Sequence, residues 1–280
     1  MGKTPFSSIE KTVSSLIPSP LVCHLPRKWE KIGTVVTLKV PEELSPYKET
    51  IGKVYADVLG CTTSLNELSG IAGVYRKPVV EVIFGSPITE TIHVENGIRF
   101  KVDPQKIMFS SGNMAERRRM AGISNPKETV VDLFAGIGYF TLPIAVYSKP
   151  KNIVACEINP VAFEYLCANV VLNHVSSMVE PRLGDNRHIA PKDCADRVIL
   201  GYLHRPQAYL PVAFECLKDH TGVLHYHALT PVEAIPQQPL THLNQAASSC
   251  SCQVDLLKVT RVKSYAPQID HVVLDVRVFK

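Results

Sequence analysis

The sequence has neither a long apolar run nor a strong charge of one sign. Of its 280 residues, 30 are Lys or Arg and 26 are Asp or Glu, which leaves a formal net charge of +4. So weak a basic balance permits a nucleic-acid partner but does not require one. No apolar stretch reaches the length of a membrane span, and the amino terminus lacks the apolar core of a signal peptide. We therefore expect a cytoplasmic protein without a membrane partner.

The eight cysteines also lack the spacing of a metal site. Only Cys250 and Cys252 are close together, and no second pair completes the ligands of a tetrahedral site. Several of the other cysteines lie in apolar segments, where a reduced thiol behaves as a small core residue. The spacing thus favours reduced thiols and predicts no bound metal.

One stretch near the middle of the chain has the pattern of a nucleotide-binding βαβ unit. Val130–Phe134 is a predicted buried strand that contains Asp132, and residues 135–138 (Ala-Gly-Ile-Gly) form a tight turn. After a helical segment, a second apolar strand, Ile153–Cys156, is followed by Glu157. A carboxylate at this distance from a glycine turn can accept both hydroxyls of a ribose. The glycines, which lack a Cβ atom, let the backbone approach a ligand closely; a turn that only closes the βαβ unit is the alternative.

The glycine count narrows the class of nucleotide. A dinucleotide fingerprint has a third glycine where this chain has Thr141, and no Gly-Lys-Ser/Thr of a phosphate-binding loop follows. S-adenosylmethionine, which has adenosine but no phosphate, fits this motif best. After the third strand, Asp185 and Asn186 stand where an adenine amino group needs an acceptor, and a simple turn is the alternative there.

The order of the elements predicts an α/β protein. Five parallel strands and a terminal hairpin, Val254–Val262 with His271–Phe279, make the Rossmann-like seven-stranded sheet of class I methyltransferases. Residues 1–30 are rich in Ser and Pro and are expected to form a loosely ordered lead-in. Residues 31–104 are expected to be a small α/β domain, and residues 105–280 the transferase domain.

The segment that joins these two domains is suited to contacting a ligand. Ser110–Asn113 offers side chains that cap helices, and a helix is expected over Met114–Ile123. Its three consecutive arginines must point around more than half of the helix. We interpret Arg118 and Arg119 as solvated, and Arg117 as a candidate to pair with the carboxylate of a bound methionine moiety.

These motifs resemble those of one known family over nearly the whole chain. The segments concerned are DLFAGIGYFT, CEINP, GDN, FSSGNMAERRRM and KSYAPQIDHVVLDVRVFK. They are similar to those of the tRNA wybutosine-synthesising aminocarboxypropyltransferases, whose relatives are tRNA methyltransferases that modify N1 of the guanosine next to the anticodon. The exit of the fourth strand, Gly201-Tyr202-Leu203-His204, is similar to the aminocarboxypropyl branch, because the methyltransferases have an Asn-Pro-type motif there. They also tend to carry arginines where this chain has Ser111-Gly112-Asn113.

The resemblance implies S-adenosylmethionine as co-substrate. The cofactor contacts that it implies correspond to Ser110, Arg117, Glu157, Asp185 and Asn186. Further candidates are the residues around the glycine turn and at the two neighbouring strand ends: Asp132, Phe134, Ala135, Gly136, Gly138, Ile158, Asn159 and Gly201.

The activity implied is transfer of a 3-amino-3-carboxypropyl group to a ring carbon of 4-demethylwyosine, beside the anticodon of phenylalanine tRNA. Tyr202 and His204 are tentative candidates for removing the proton from that carbon, with packing or tRNA contact as alternatives. His225 and His227 are interpreted as structural. The alternatives for the whole protein are an S-adenosylmethionine-dependent tRNA guanine-N1 methyltransferase and a catalytically silent RNA-binding module.

Transfer RNA, through its anticodon loop, is the expected partner, and no obligatory protein partner is inferred. Lysines in the small domain are candidates for gripping the tRNA backbone, and basic residues near the carboxyl terminus could extend that surface. These candidates are Lys28, Lys31, Lys48, Lys258, Arg261 and Lys263. Each one alone is more often simply solvated.

Overall fold

The computed structural model describes residues 4–73 and 75–280, and the chain divides into two units, Met1–Ser111 and Gly112–Lys280. The boundary expected after residue 104 falls within the last residues of the first unit. No helix among the described residues is long and apolar enough to cross a membrane.

The first unit is an α/β domain with a four-stranded sheet in the order β1-β2-β3-β4. Its elements are α1 (Pro5–Val13), β1 (Trp29–Ile32), β2 (Val35–Leu38), α2 (Lys48–Leu59), β3 (Thr63–Ala72), β4 (Lys77–Phe84), β5 (Thr91–Glu95) and β6 (Ile98–Val102). The strands β2 and β3 are parallel and joined through α2, whereas the other pairs are antiparallel. A separate hairpin, β5–β6, turns at Asn96 and Gly97, both with positive φ, which is typical of an Asn-Gly turn.

The amino-terminal segment is folded, so the prediction of a loosely ordered lead-in is wrong for residues 4–30; residues 1–3 lie outside the described residues. Helix α1 buries Ile9 and Val13 completely in the same core as α2 and β2. The buried hydroxyl of Tyr55 in α2 donates a hydrogen bond to the carbonyl of Pro26 at 2.5 Å. Composition misled the prediction, because a few apolar residues at helical spacing suffice to dock a segment that is otherwise rich in Ser and Pro.

The second unit contains the predicted seven-stranded sheet, and its strand order is β12-β13-β11-β10-β7-β8-β9. Its strands are β7 (Thr129–Asp132), β8 (Asn152–Glu157), β9 (Val179–Leu183), β10 (Arg197–Leu200), β11 (Gly222–Pro231), β12 (Gln253–Ala266) and β13 (Ile269–Phe279). Its helices are α3 (Met114–Met120), α4 (Thr141–Pro143), α5 (Pro160–Leu172), α6 (Asn186–Ile189), α7 (Leu210–Cys216) and α8 (Gln237–Ser249). The strands β7 to β11 are parallel, and β13 is antiparallel to both β11 and β12.

The two faces of this sheet differ in chemistry. One lateral row, aligned by the register of β7, β10, β11 and β13, consists of Val131, Val198, Leu224 and Val276, and these side chains form the main core with α7 and α8. Successive side chains on a strand point to opposite faces. The next row, which consists of Asp132, Ile199, His225 and Asp275, therefore lies on the other side, which we call the polar face.

Helix α3 begins at the predicted residue but ends earlier than predicted, and it lacks the predicted cap. It runs from Met114 to Met120 and stops before Ile123. A 3-10 turn at Ser111–Asn113 precedes it, and Asn113 at the N-cap makes no side-chain capping bond, so the capping prediction is wrong. The helix is instead held by ion pairs on the polar face, which local sequence does not reveal.

The buried position of α1 is testable by substitution. Ile9→Ala should lower the free energy of unfolding by about 2–5 kcal/mol, because it removes a fully buried side chain and leaves a cavity. Lys11→Ala, at an exposed position of the same helix, should change it by less than about 0.5 kcal/mol. Urea unfolding measures both variants. Equally small losses in the two would mean that α1 does not pack against the domain.

Candidate functional site

The turn after β7 is tied to the acid at the end of β8. The backbone N–H of Gly136 donates to Glu157 Oε2 at 2.8 Å, and the N–H of Asn159 donates to Oε1 at 2.7 Å. Burial raises the pKa of Glu157, and these backbone donors oppose that rise. A carboxylate accepts about four hydrogen bonds, so Glu157 retains capacity for a ligand hydroxyl.

The glycines of the turn are required by the protein itself. Gly136 and Gly138 both have positive φ, at 59° and 100°. A Cβ atom on Gly136 would collide with the ring of Tyr139, and one on Gly138 would lie 2.7 Å from Leu142 Cγ. This internal packing is a cause that the sequence interpretation, which considered only space for a ligand, did not include.

The buried side chain of Asp132 stabilises the same turn through hydrogen bonds. Its side chain is fully buried, and it accepts hydrogen bonds from the Phe134 N–H at 3.2 Å and from the Thr141 hydroxyl at 2.8 Å. Burial raises the pKa of Asp132 to about 6. Thr141, at the position of the absent third glycine, thus holds the acid that shapes the turn. A direct contact of Asp132 with a cofactor stays a prediction.

An unsatisfied acceptor lies at the carboxyl end of β9. Asn186 Nδ2 donates to the Leu133 carbonyl at 2.8 Å, and because a carbonyl only accepts, the amide must face it with its nitrogen. This leaves Asn186 Oδ1 buried and without a hydrogen-bond partner among the described residues. A buried acceptor of this kind fits a ligand that brings its own N–H donor. An adenine amino group is such a donor.

The neighbouring Asp185 is engaged by a cation. Its carboxylate accepts from the backbone N–H of Arg187 at 3.0 Å and pairs closely with the Arg187 guanidinium. These bonds, with the guanidinium bond largest, lower the pKa of Asp185. The acid is therefore ionised at neutral pH, which suits an acceptor for an amino group.

Aromatic rings gather where β7 and β10 end, and we call Phe134, Tyr202, His204 and Tyr209 the aromatic cluster. The rings of Phe134 and Tyr202 are stacked, with centroids 4.8 Å apart and an interplanar angle of 10°. His204 and Tyr209 meet Tyr202 edge-on at 5.8 and 5.7 Å. Tyr209 was not among the sequence candidates, because nothing in its local sequence links it to the strand ends. Such a cluster can stack a planar base.

The remaining candidates are placed as follows. Ser110 lies at the end of the first unit. Arg117 belongs to helix α3 of the second unit and is 2% exposed, and α3 packs against α4. Ala135 is buried and donates its N–H to the Cys156 carbonyl at 2.9 Å. Ile158 is 41% exposed after β8, whereas Gly201 follows β10 directly. Gly201 is thus at the same edge of the sheet as the glycine turn.

Helix α3 is held on the polar face by Arg119, and the interpretation of this residue as solvated is wrong. Its guanidinium donates to Glu116 Oε1 and Oε2 at 2.7 and 2.8 Å. The same group donates to Asp275 on β13 at 2.6 and 3.2 Å. Burial alone would raise the pKa of Asp275, but hydrogen bonds from His225 and from Arg119 outweigh it and lower the pKa to about 2. Arg118, by contrast, is exposed.

His225 continues this network across the sheet. Its Nε2 lies 2.8 Å from an Arg197 nitrogen that can only donate, so Nε2 accepts and Nδ1 carries the proton that goes to Asp275 at 2.6 Å. Burial lowers the pKa of His225, which keeps the ring neutral. Arg197 in turn donates to both oxygens of Glu128, at 2.9 and 3.0 Å. We call Glu116, Arg119, Glu128, Arg197, His225 and Asp275 the polar-face network.

A pair of buried histidines, His227 and His271, lies beside this network. His227 Nδ1 and His271 Nε2 are 3.0 Å apart, so one ring donates to the other. Both side chains are buried, and burial is the main cause that lowers the pKa of each to about 3. Both rings are therefore neutral at neutral pH. The burial of His227, like that of His225, within β11 supports the interpretation of these two residues as structural.

Several basic residues proposed for tRNA have intramolecular partners. Lys31 donates to the Leu59 carbonyl at 2.5 Å, and Lys48 pairs with Glu81 at 2.8 Å. Arg261 pairs with Asp270, also at 2.5 Å. Lys28 and Lys258 are exposed, and Lys263 lies against Gly112, where a Cβ atom would come within 3.1 Å of its Nζ.

Metal-ligating side chains are not clustered in the part of the chain that the structure describes: no group of three or more His, Cys, Asp or Glu could hold an ion there. Cys252 donates to the Cys250 carbonyl at 3.3 Å. All eight cysteines are free thiols.

Comparisons with known proteins identify relatives of both units. A family model described as the TRM5/TYW2 methyltransferase domain matches residues 91–255, and one described as the TYW2 N-terminal domain matches residues 9–89. A Pyrococcus horikoshii protein named tRNA(Phe) (4-demethylwyosine(37)-C(7)) aminocarboxypropyltransferase is 43% identical over 97% of this chain and 96% of its own. The crystal structure of P. horikoshii TYW2 in complex with MeSAdo has a TM-score of 0.88, at 40% identity, over 98% of this chain and 99% of that one. The tRNA (guanine(37)-N(1))-methyltransferase Trm5b of Pyrococcus abyssi is 35% identical over 94% of this chain and 78% of its own.

The buried histidine pair predicts a specific response to acid. The pKa of His271 is lowered to about 3 in the folded state, so between pH 5.5 and 4.5 the unfolded state binds one proton more, and the free energy of unfolding falls as the pH falls. In His271→Asn this loss should be shallower by about 1.4 kcal/mol per pH unit. Urea unfolding at both pH values measures the slope. His188→Asn, at an exposed position, should keep the wild-type slope; an unchanged slope in His271→Asn would contradict the prediction.

Proposed function

The chain belongs to the tRNA wybutosine-synthesising aminocarboxypropyltransferases, and on that premise we propose that it transfers the 3-amino-3-carboxypropyl group of S-adenosylmethionine to a ring carbon of 4-demethylwyosine. The acceptor base lies beside the anticodon of phenylalanine tRNA, and methylthioadenosine is released. The observation that carries this proposal is the 43% identity over 97% of the chain to a relative with this activity. The methyltransferase relative is less similar and shares less of its own length.

The residues at the strand ends fit the adenosine of the co-substrate. Glu157 accepts hydrogen bonds from the ribose hydroxyls with the lone pairs that the backbone N–H groups of Gly136 and Asn159 do not occupy. Asn186 Oδ1, the buried acceptor without a partner, and the ionised Asp185 accept hydrogen bonds from the adenine amino group. Arg117 pairs with the methionine carboxylate, where a guanidinium can bind in a bidentate manner. Ser110 is proposed as a further contact to the same moiety.

The bound co-substrate supplies a carbon activated by a positive sulfur, together with its own leaving group. The protein's task is therefore to hold and orient, because the carbon that faces the acceptor in line is the one transferred. A grip on the carboxylate by Arg117 turns the amino-acid arm toward the acceptor. Neither a protein nucleophile nor a metal is needed for this displacement.

The aromatic cluster is proposed to receive the acceptor base. A base in a tRNA loop must be splayed out of its stack to enter a pocket, and aromatic rings compensate for the stacking that is lost. Tyr202, held in place by Phe134, contacts the base. His204, which is exposed at the edge of the cluster, accepts the proton that the ring carbon loses.

The exposed lysines Lys28 and Lys258 are the proposed contacts to the tRNA backbone, since they are charged and solvent-accessible. Lys31, Lys48 and Arg261 serve mainly their intramolecular partners. A cytoplasmic site of action, where tRNA is modified, is also part of the proposal.

The position of an isotopic label distinguishes the two transfers. The protein is incubated with tRNA that contains 4-demethylwyosine and with S-adenosylmethionine labelled either in the methyl group or in the carboxyl group. Carboxyl label should join the tRNA while methyl label leaves in methylthioadenosine. Methyl label on tRNA with unmodified guanosine would instead support the guanine-N1 methyltransferase.

Binding of the co-substrate should depend on Glu157. Glu157→Gln should raise the dissociation constant of S-adenosylmethionine by about 10- to 100-fold, because a hydrogen bond to a charged group contributes about 1.5–3 kcal/mol to binding. Calorimetric titration measures this constant. Glu164→Gln, at an exposed position of α5, is the matched control and should bind as the wild type. If folded Glu157→Gln retained wild-type affinity, the ribose assignment would be wrong.

A further inference from the structure

Two charged residues of helix α3, Glu116 and Arg119, lie on either side of Arg117 in the sequence. Glu116 precedes it and is 2% exposed, and Arg119 follows it within the same turn. The Arg119 guanidinium donates to Glu116 and also to Asp275, which lies 156 residues farther along the chain on β13. The end of the helix is also fastened, because Ser148 donates its hydroxyl to the Ala121 carbonyl at 2.7 Å. Arg117 thus lies two residues before Arg119, the residue whose side chain ties the carboxyl end of the helix to the sheet.

The anchors are of a kind that fixes angle as well as distance. The planar guanidinium of Arg119 donates in parallel pairs to two carboxylates, that of Glu116 on the same helix and that of Asp275 on β13. The first pair fixes the guanidinium on the helix, and the second ties it to the sheet, so the helix can neither rotate nor slide against β13 without breaking bonds. Apolar contacts alone would allow small rotations. Buried ion pairs cost desolvation and are not required for stability, so a role in fixing geometry accounts for them better.

The anchoring carboxylate is itself held. Asp275 Oδ1 accepts the Nδ1 proton of His225, whose Nε2 accepts from Arg197, and Arg197 is fixed by Glu128. The network therefore joins α3 to β13, β11 and β10. Tyr202 follows the carboxyl end of β10, and β11 is the neighbour of β10 in the sheet. Movement of α3 relative to these strands would change the position of Arg117 relative to the acceptor side of the site.

We propose that Glu116, Arg119 and Asp275 are positioning residues that set the orientation of Arg117 and thereby decide which carbon of S-adenosylmethionine is presented to the acceptor. This inference rests on the proposed function, in which Arg117 holds the methionine carboxylate. Loosening the anchors should let the amino-acid arm turn away, so that aminocarboxypropyl transfer slows and the methyl group reaches the acceptor more often.

The test measures product identity together with rate. Asp275→Asn removes the charge with little change of shape, and Arg119→Lys keeps the charge but loses the paired bonds. Both are assayed with tRNA containing 4-demethylwyosine and, in separate reactions, with the methyl-labelled and the carboxyl-labelled co-substrate. A misplacement of about 1 Å costs on the order of 100-fold in rate, so kcat for carboxyl-label transfer should fall by about 10- to 100-fold, and the methyl share of transferred label should rise. Asp255→Asn, an exposed Asp on the neighbouring strand β12, is the matched control and should match the wild type.

A structural role alone would give a different pattern. If the variants melt earlier but, where fully folded, keep the wild-type kcat, KM for S-adenosylmethionine and label ratio, the inference is overturned. Should Asp275→Asn fail to fold, Arg119→Lys decides by the same criteria. If the wild type itself attaches methyl label, the proposed function has failed, and the positioning role is then judged by whether KM for S-adenosylmethionine rises in the variants.

Discussion

A carboxylate buried between a helix and a sheet, that of Asp275, constrains the second unit. Its charge would be costly in the interior without compensation. Two bonds from Arg119 and one from His225 supply that compensation and keep the group ionised. Because every one of these partners comes from a different element, satisfying one charge fixes α3, β11 and β13 together.

The sheet shows the consequence of this constraint. On its apolar face, α7 and α8 pack by burial of aliphatic side chains, which tolerates small displacements. On the polar face, α3 is short, has no side-chain cap, and could not be stable by its own helical propensity. Directional bonds replace hydrophobic area there. The helix that carries Arg117 is thus among the most precisely placed elements near the site, although it is one of the smallest.

The sequence predicted those features whose signals are local. The glycine turn, Glu157, the strand endings and the terminal hairpin are encoded in short patterns, and the number of strands in the large sheet follows from counting these elements. Arg119 could not be interpreted correctly, because its main partner is 156 residues away and the neighbouring arginines suggested a solvated face. Tyr209 was missed for the same reason, and α1 was hidden by a composition typical of disorder. Long-range pairing, not local propensity, decided these cases.

The site explains why closely related chains can transfer different groups from one co-substrate. The proposed adenosine contacts, Glu157 and Asn186, are held by backbone groups of the glycine turn and of Leu133. In the proposed binding mode they contact the adenosine, which does not react, so they do not determine which carbon is transferred. That choice requires a contact to the amino-acid arm, and in the proposed binding mode Arg117 supplies it from α3, outside the βαβ unit. Divergence of activity therefore needs a change in how α3 is held and what the strand ends present, while the nucleotide site stays the same.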